Sequence, residues 1–329
     1  MTSIRNTATA IAVLAITLSA CSGAATSTPA PATVAPSTTA PVAPSQAASV
    51  APSLAASVPA ASIIPLPSGA LVFPNKLEIC ADLPYPPQVF FDANGNPTGS
   101  DPEIGAQIAS RLGVTSQIVN SVFDTIIAAV TSGKCDLIIG AQNITNARVK
   151  QIDFIPYYWA GEAFLVAKGN PDGIKTLNDL CGKAIAVETG SAEIDNLNGT
   201  GDYAGQGLSA ACVKAGKPAI NVLPFSKDSA ALLALQAGQV AAHFTDSPVA
   251  GYYAEQHPDQ FELSGLTIGV ALEGIGIPKN NTGLRDAVQA ALVSMINDGT
   301  YLAILKKYGM EAGAVTVADA MTINKIASR

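Results

Sequence analysis

Few residues of the 329-residue chain have the types and spacing that catalysis requires. His243 and His257 stand apart from any serine and aspartate set, and no run of residues forms a metal triad or a phosphate loop. The Gly274-Ile-Gly276 run does not complete a dinucleotide fingerprint. Glu188 could act as a general acid. The sequence therefore favours binding over catalysis and predicts no cofactor.

The N-terminus has the pattern of an export signal. Arg5 precedes an apolar run over residues 8–18, which is too short to span a bilayer. The run ends in Leu18-Ser19-Ala20-Cys21, which resembles the lipobox of bacterial lipoproteins, where the cysteine is acylated and becomes the new N-terminus. We expect residues 1–21 to be a lipoprotein signal peptide, with Cys21 as the lipidation site that anchors the protein to the cell membrane outside the cytoplasm. The alternative is an ordinary secretory peptide.

A low-complexity segment follows over residues 22–70. It is almost entirely Ala, Pro, Ser, Thr and Val, and no charged residue stands between Ser22 and Lys76. Such a composition cannot bury a core, so it predicts a disordered, proline-stiffened linker.

The rest of the chain is long enough for one large domain or two modest ones, and no later segment reaches transmembrane length. The only membrane contact expected is therefore the lipid anchor. The net charge of −7, without long charged runs, argues against nucleic acid as a partner.

Four further cysteines are candidates for disulfides, because an even number in an exported chain favours them, although four cysteines allow three pairings. We favour Cys80–Cys135, since the first ends a predicted strand and the second begins another that could lie beside it. We favour Cys181–Cys212 because both lie in one later segment. Zinc is the alternative, but the chain has no Cys-x-x-Cys and only two histidines, so no metal site is predicted.

Strand and helix patterns alternate along the remaining chain. The predicted strands cover residues 77–81, 117–120, 135–140, 163–168, 184–187, 219–223, 241–246 and 268–277. The predicted helices cover residues 101–112, 124–132, 192–197, 229–236 and 283–307, the last with a break near Asp298 and Gly299. Alternation of this kind predicts an α/β fold with parallel sheets and with ligands at the carboxyl ends of the strands.

Short motifs follow one another in a characteristic order. They are Tyr85-Pro86-Pro87, Gly99-Ser100-Asp101, residues 133–139, Ile144-Thr145 with Arg148, Asp153-Phe154, Pro156-Tyr157, Asp179-Leu180, Gly182-Lys183, Gly190-Ser191, residues 230–238 and Asp246-Ser247-Pro248. Their order and spacing resemble the polar amino-acid solute-binding proteins of ABC importers, the bacterial extracellular solute-binding protein family 3, here in lipoprotein form. The resemblance runs from Lys76 to Gly309.

The resemblance implies a two-lobed, type II periplasmic-binding-protein-like fold, in which each lobe is a mostly parallel sheet with flanking helices. The chain would cross a hinge twice, near Ala160 and near Gly269. Lobe 1 would then comprise residues 71–160 and 269–329, and lobe 2 residues 161–268. The ligand would lie between the lobes, and their closure would bury it.

The resemblance also implies which residues hold the two charges of an amino acid, each of which must be paired when it is buried. Arg148 matches the family arginine that grips the α-carboxylate, a task that suits the guanidinium fork. Backbone N–H groups at Ser191 and Ala192 would meet the same carboxylate. Asp246 matches the aspartate that pairs with the α-ammonium.

Further contacts follow from the same comparison. Tyr85 and Phe123 match aromatic positions that sandwich the ligand side chain. Residues 140–143 depart from the small hydroxyl residues usual in the family, but the Ala141 carbonyl could accept from the ammonium and the Asn143 amide could donate to the carboxylate.

Selectivity is expected from Asp82 and Glu188, which match positions that approach the ligand side chain. Two acids would favour a cationic end group, helped by a cation–π contact with Tyr85. A basic amino acid is therefore the hypothesis, although Asp at the first position also occurs in binders of uncharged ligands.

The predicted function is that of the extracytoplasmic substrate-binding component of an ABC importer, a monomer that works with a permease and its ATPase. One alternative is an enzyme on the same fold, such as a cyclohexadienyl or arogenate dehydratase. Another is a ligand-binding subunit for a membrane sensor.

Overall fold

The computed structural model describes residues 63–327, and the predicted signal peptide, Cys21 and most of the predicted linker lie outside that range. The strands are β1 Lys76–Ala81, β2 Phe90–Phe91, β3 Pro97–Thr98, β4 Thr115–Asn120, β5 Leu137–Ile138, β6 Ile152–Ala167, β7 Ala184–Glu188, β8 Asn221–Phe225, β9 Ala242–Asp246 and β10 Phe261–Pro278. The helices are α1 Ser100–Arg111, α2 Ile126–Thr131, α3 Ala192–Asn198, α4 Leu208–Lys214, α5 Asp228–Gln236, α6 Ser247–Gln256, α7 Thr282–Asp298, α8 Thr300–Lys307 and α9 Val317–Ala320. Short 3₁₀ turns cover Phe123–Thr125, Arg148–Lys150, Leu177–Leu180, Gly201–Tyr203 and Glu311–Gly313.

Eight strands form one sheet in the order β4-β1-β5-β10-β6-β9-β7-β8. The outer strands pair in parallel, β1 with β4 and β5, and β7 with β8 and β9. The long strands β6 and β10 run antiparallel through the middle of the sheet. The predicted α/β class, with a mostly parallel sheet and flanking helices, is confirmed, and the central antiparallel pair is an addition that strand alternation did not predict.

Apolar side chains form separate cores on the two ends of this sheet. The first core includes Leu77, Ile79, Phe154, Ile275 and Leu292, which come from β1, β6, β10 and α7. The cores at the other end are built from β6 to β10 and include side chains from residues 163–261. Strands β6 and β10 contribute to both ends, so they are the only β-strands of the described chain that connect the two. The predicted lobe boundaries, 71–160 with 269–329 and 161–268, stay a prediction.

Residues 63–70, the end of the predicted linker, pack on the folded body. The Ile64 N–H donates to the Arg111 carbonyl at 2.8 Å, and the Asn281 side chain donates to the Ala70 carbonyl at 2.8 Å. Ile64 and Leu66 also pack against the first core. The linker prediction was wrong for these residues because composition averaged over the segment hid a short apolar cluster.

Both disulfides are present with the favoured pairing, Cys80 with Cys135 and Cys181 with Cys212. Within residues 63–327, no group of three or more His, Cys, Asp or Glu side chains is arranged to hold a metal ion. No single helix in that range is long and apolar enough to cross a membrane, and only α7 and α8, bent by 78° at their junction, meet the length and composition test as a pair.

Candidate functional site

The predicted ligand-binding residues lie where several strands end. Asp82 follows β1, Glu188 is the last residue of β7, and Asp246 is the last residue of β9. Strand β7 lies between β8 and β9, so Glu188 is aligned with Phe225 at the end of β8. The carboxyl ends of parallel strands are where α/β sheets present ligand-binding groups.

Most of the predicted residues surround one small cavity of about 10 Å³. Its lining includes Tyr85, Phe123, Ala141, Asn143, Glu188, Ser191, Glu193, Asp228, Phe244, Thr245 and Asp246. A second cavity of about 10 Å³ adjoins it and is lined by Asp82, Pro84, Tyr85, Phe123, Gly140 and Glu188. Each has room for about one water molecule. Ala192 lines a larger neighbouring cavity of about 290 Å³, which shares Asn143 with the first.

Arg148 lies over the ring of Phe123, with its guanidinium carbon 5.3 Å from the ring centre. Its Nη1 donates to the Asn143 carbonyl and its Nη2 to the Gly190 carbonyl, both at 2.9 Å. Burial lowers the pKa of Arg148, while nearby carboxylates, Glu193 first among them, raise it. A guanidinium carries five N–H donors, so this one keeps donors for a further acceptor. Asn143 contacts Arg148 through its backbone carbonyl, and the expectation that its side-chain amide donates to a ligand carboxylate stays a prediction.

Asp246 is buried at the other side of the small cavity. Its Oδ2 accepts a 2.7 Å hydrogen bond from the Tyr85 hydroxyl, which also lies 3.1 Å from Thr245 Oγ1. Within the described residues, Asp246 Oδ1 has no hydrogen-bond partner. Burial, followed by the charge of Glu193, raises the pKa of the Asp246 carboxyl. Tyr85, expected to stack on a ligand, is thus hydrogen bonded to the expected ammonium partner.

Asp82 is paired within the chain. Its Oδ1 lies 2.6 Å from Lys227 Nζ, and its Oδ2 accepts from the Phe123 N–H at 2.8 Å. Lys227 Nζ also donates to the Leu83 carbonyl at 2.8 Å. The expectation that Asp82 offers a free negative charge therefore does not describe this geometry, because an internal cation already neutralises it.

Glu188 also differs from the expectation that it places a negative charge beside the ligand side chain. Its Oε1 accepts from the Asp228 N–H at 3.1 Å. Burial first, and then the charges of Asp228 and Asp82, raise the pKa of Glu188 to about 9. A carboxyl with that pKa is protonated and uncharged at neutral pH.

Ser191 and Ala141 have local structural roles. Ser191 precedes α3, and its Oγ accepts from the Ile194 N–H at 3.2 Å, so the hydroxyl caps the helix. The Ala141 N–H donates to the Tyr157 hydroxyl at 3.2 Å, which fixes the loop after β5. Neither contact uses the backbone groups that were expected to face a ligand.

Sequence reasoning missed Lys227, Glu193, Asp228 and Thr245. Lys227 and Asp228 lie two and three residues after the end of β8, and a charged pair near a strand end was an available signal. Glu193 is 3% exposed in the first turn of α3, and within residues 63–327 its Oε1 has no hydrogen-bond partner. A glutamate in a first helical turn usually indicates no more than a favourable helix start, so its burial was not predictable.

A comparison with protein families matches residues 77–311 to the family described as bacterial extracellular solute-binding proteins, family 3. The L-cystine-binding protein TcyJ of Escherichia coli (strain K12) is 28% identical over 225 residues, which are 68% of this chain and 79% of that protein. The arginine-binding protein ArgT of Corynebacterium glutamicum is 30% identical over 241 residues, covering 72% of this chain and 75% of that protein.

Solved structures of amino-acid-binding proteins are also similar to this chain. An ancestral arginine-binding protein bound to glutamine is 34% identical, with a TM-score of 0.64, and the match covers 72% of this chain and 98% of that one. The ancestral amino acid-binding protein AncCDT-1, a precursor of cyclohexadienyl dehydratase, is 30% identical, with a TM-score of 0.59 and coverage of 71% and 95%.

Proposed function

Because the chain belongs to the bacterial extracellular solute-binding proteins of family 3, we propose that it binds a free polar amino acid at the strand ends described above. Its fold is the type II periplasmic-binding-protein-like α/β fold of its structural relatives. The bound amino acid would pass to a permease driven by an ATPase. Relatives named for cystine and arginine support an amino acid as the ligand class.

The proposal is supported by Asp246, which lines the small cavity, and by Arg148, which contacts Phe123 and Asn143 of its lining, because both keep hydrogen-bonding capacity. Arg148 has unused N–H donors, and Asp246 Oδ1 has no partner within the described residues. An α-carboxylate on the first and an α-ammonium on the second would pair both ends of one zwitterion. Backbone groups of Ala141, Ser191 and Ala192 would add neutral contacts, and the amide of Asn143 would add another to the carboxylate.

Binding requires the site to open, because a cavity of about 10 Å³ holds about one water and not an amino acid. We propose that residues 71–160 with 269–329 move relative to residues 161–268, with hinges near Ala160 and Gly269. The contacts that must then break and re-form join these ranges. They include the bonds from Tyr85 to Asp246, from Arg148 to Gly190 and from Lys227 to Asp82.

Calorimetry of the purified protein against arginine, lysine, ornithine, glutamine and glutamate tests the proposal. We expect Arg148→Ala and Asp246→Ala each to weaken binding by more than about 100-fold, since each leaves one ligand charge unpaired. The thermal transition without ligand should fall in both variants, because each removes buried hydrogen bonds within the chain, so melts must first show that the protein is folded at the temperature of the titration. Arg285→Ala is a matched control, because that arginine pairs with Asp153 and Asp286, away from the cavity. A loss of only a few-fold in both site variants would reject the assignment.

We further propose that Cys21 carries a lipid and that residues 22–62 tether the binding domain to the membrane, as a monomer. Tethering raises the concentration of the binder beside a permease, so neither partner needs strong docking. Incorporation of labelled palmitate should be lost in Cys21→Ala, and the protein should leave the membrane fraction. Retention of Cys21→Ala in that fraction after a salt wash would contradict the anchor.

We propose binding without turnover. Glu188, the candidate general acid, hydrogen bonds through Oε1 to the Asp228 N–H, and among the described residues no group of three or more His, Cys, Asp or Glu side chains is arranged to hold a metal ion. Turnover of prephenate or arogenate by the purified protein would overturn this part of the proposal. Uptake of labelled ligand by cells with and without the gene separates an importer component from a sensor subunit.

A further inference from the structure

We propose that Lys227 is a specificity-determining residue, which occupies the cation position beside Asp82 and selects amino acids with an uncharged, hydrogen-bonding side chain. This inference rests on the proposed function, since it names the ligand class of the same site. It replaces the basic amino acid that the two acids, Asp82 and Glu188, suggested.

Both carboxylate oxygens of Asp82 already have a partner within the chain. Lys227 Nζ lies 2.6 Å from Asp82 Oδ1 and donates to the Leu83 carbonyl at 2.8 Å. The second oxygen of Asp82 is taken by the Phe123 N–H at 2.8 Å. The Asp82 side chain is 9% exposed and the Lys227 side chain 35%, so the carboxylate is largely withdrawn from water and the pair is only partly screened.

The position of Lys227 is set by the sheet. It lies two residues beyond Phe225, the end of β8, which is aligned with Glu188 at the end of β7. The next residue, Asp228, donates its N–H to Glu188 Oε1 at 3.1 Å. The backbone at Lys227 is therefore held by β8 before it and by the Asp228–Glu188 hydrogen bond after it. Its side chain extends to the loop after β1.

Asp82 lies where the ligand side chain is expected, and Lys227 contacts it. Asp82 lines the second small cavity together with Tyr85, Phe123 and Glu188, which also line the first. The negative charge of Asp82 and the positive charge of Lys227 cancel. Glu188 adds no charge at neutral pH, because burial raises its pKa to about 9. This end of the site is thus close to electrically neutral.

A guanidinium or ammonium on the ligand meets two obstacles here. Beside Lys227 it would face a like charge at short range, where screening by water is weak. To replace Lys227 it would have to break the bonds to Asp82 and Leu83 and leave the lysine without them. A ligand carboxylate would bring a surplus negative charge next to Asp82 and Glu188.

An uncharged acceptor fits the donors that remain. An ammonium has three N–H donors, and Lys227 uses two of them. The protonated Glu188 carboxyl supplies an O–H. These two donors would bind an uncharged acceptor, such as the carbonyl oxygen of an amide or the oxygen of a hydroxyl.

The test compares the full chain with Lys227→Met and Lys227→Arg. Calorimetry uses two sets of probes, glutamine, asparagine, serine and threonine in one, and arginine, lysine and ornithine in the other. We expect an uncharged probe to bind most tightly to the unchanged protein and to Lys227→Arg. In Lys227→Met, the affinity for the best basic probe should rise by about tenfold or more relative to the best uncharged probe, because Asp82 is left without its cation.

A second variant separates specificity from general damage. In an Asp82→Asn background, Lys227→Met should no longer shift the preference towards basic probes, since no carboxylate is left to receive them. Thermal melts check folding, and the half-exposed Lys227 side chain makes its replacement a mild change. Should a variant fail to fold, the ranking of probes by the unchanged protein still decides.

Two results would overturn the inference: a basic probe that binds the unchanged protein more tightly than every uncharged one, or a preference that Lys227→Met leaves unaltered. Failure of the proposed function looks different. In that case no amino acid binds any variant, or binding survives Arg148→Ala without loss.

Discussion

The Tyr85 hydroxyl donates a 2.7 Å hydrogen bond to Asp246 Oδ2, which joins the loop after β1 to the end of β9. The two residues are 161 positions apart in sequence. Asp246 is also the proposed partner of the ligand ammonium, so the phenol and the ammonium would both contact this buried carboxyl. In the proposed complex the phenol keeps Oδ2, and the ammonium pairs with Oδ1, which has no partner within the described residues.

Removal of this hydroxyl by Tyr85→Phe should lower the free energy of unfolding by about 1–3 kcal/mol, because a buried polar group loses its partner. The rise in melting temperature on adding ligand should become larger, since the ammonium then supplies the missing bond. Chemical denaturation and melts with and without ligand measure both effects. Tyr252→Phe, on a half-buried tyrosine whose ring packs against Phe90, is the control. Equal stability of Tyr85→Phe and the unchanged protein would contradict the prediction.

Stability should fall as the pH rises because of Glu188. Its pKa is about 9 in the folded protein against an ordinary value of 4.5, so the folded state keeps a proton that the unfolded chain releases. The stabilisation from that proton is complete below pH 4.5 and is lost as the pH rises through about 9.

The variant Glu188→Gln removes this titration but keeps the shape of the side chain. Between about pH 5 and about pH 9 its free energy of unfolding should therefore decline less than that of the unchanged protein. Urea denaturation across this range measures the decline, and the exposed Glu255→Gln serves as the control. A decline equal to that of the unchanged protein would show that Glu188 does not hold the proton.

The sequence was sufficient for features that depend on local pattern. Apolar runs predicted the strands that end near Asp82, Glu188 and Asp246, and a break near Gly299 was expected where α7 and α8 meet. Gly299 adopts φ of 84°, which glycine reaches without strain. The candidate residues came from motif resemblance, and their roles in binding stay predictions.

The features that sequence reasoning missed depend on long-range approach. Lys227 and Asp82 are 145 residues apart, and nothing near either residue indicates that β8 and the loop after β1 meet. Strand β6 begins at Ile152, but its first half was not predicted as a strand because Gly161 and Glu162 interrupt the apolar run. Their burial follows from the neighbouring strands β9 and β10, which only the assembled sheet supplies.

The two disulfides should differ in their resistance to reduction. Cys80 and Cys135 are fully buried in the first core, whereas Cys181 is half-buried at the end of a 3₁₀ turn. Under native conditions a mild reductant should open Cys181–Cys212 first, because thiol exchange needs access to a sulfur. Alkylation and mass mapping over time follow each pair, and simultaneous opening would contradict the expected order.

Replacement of the second pair by Cys181→Ala with Cys212→Ala should lower the free energy of unfolding by about 3–4 kcal/mol, the value expected for a loop of this size. The cysteines are 31 positions apart. Chemical denaturation in the absence of reductant gives the difference. The unchanged protein in mild reductant, once only this pair has opened, is the comparison and should lose a similar amount. A loss below about 1 kcal/mol would show that the bond contributes little to the fold.

Gly190 marks a point where two segments of the site approach closely. Its φ is 80°, and its carbonyl accepts from Arg148. A Cβ added here would lie 2.6 Å from Asp124 Oδ1 and 3.0 Å from the Asp124 Cα, too close for either segment to stay in place. Gly190→Ala should therefore separate the two sides of the proposed cleft.

The variant Gly190→Ala is expected to weaken amino-acid binding by about tenfold or more, because closure around the ligand would be incomplete. Gly216→Ala is a matched control: its φ is 72°, so the backbone strain is similar, and a Cβ there meets no atom of the described chain within 4 Å. Both variants should lose stability through this strain, and Gly190→Ala also through the clash with Asp124, but only Gly190→Ala should lose affinity. Calorimetry measures the affinity, and small-angle scattering with ligand should give a larger radius of gyration for Gly190→Ala alone. Equal affinities in the two variants would show that closure does not depend on the approach of Gly190 to Asp124.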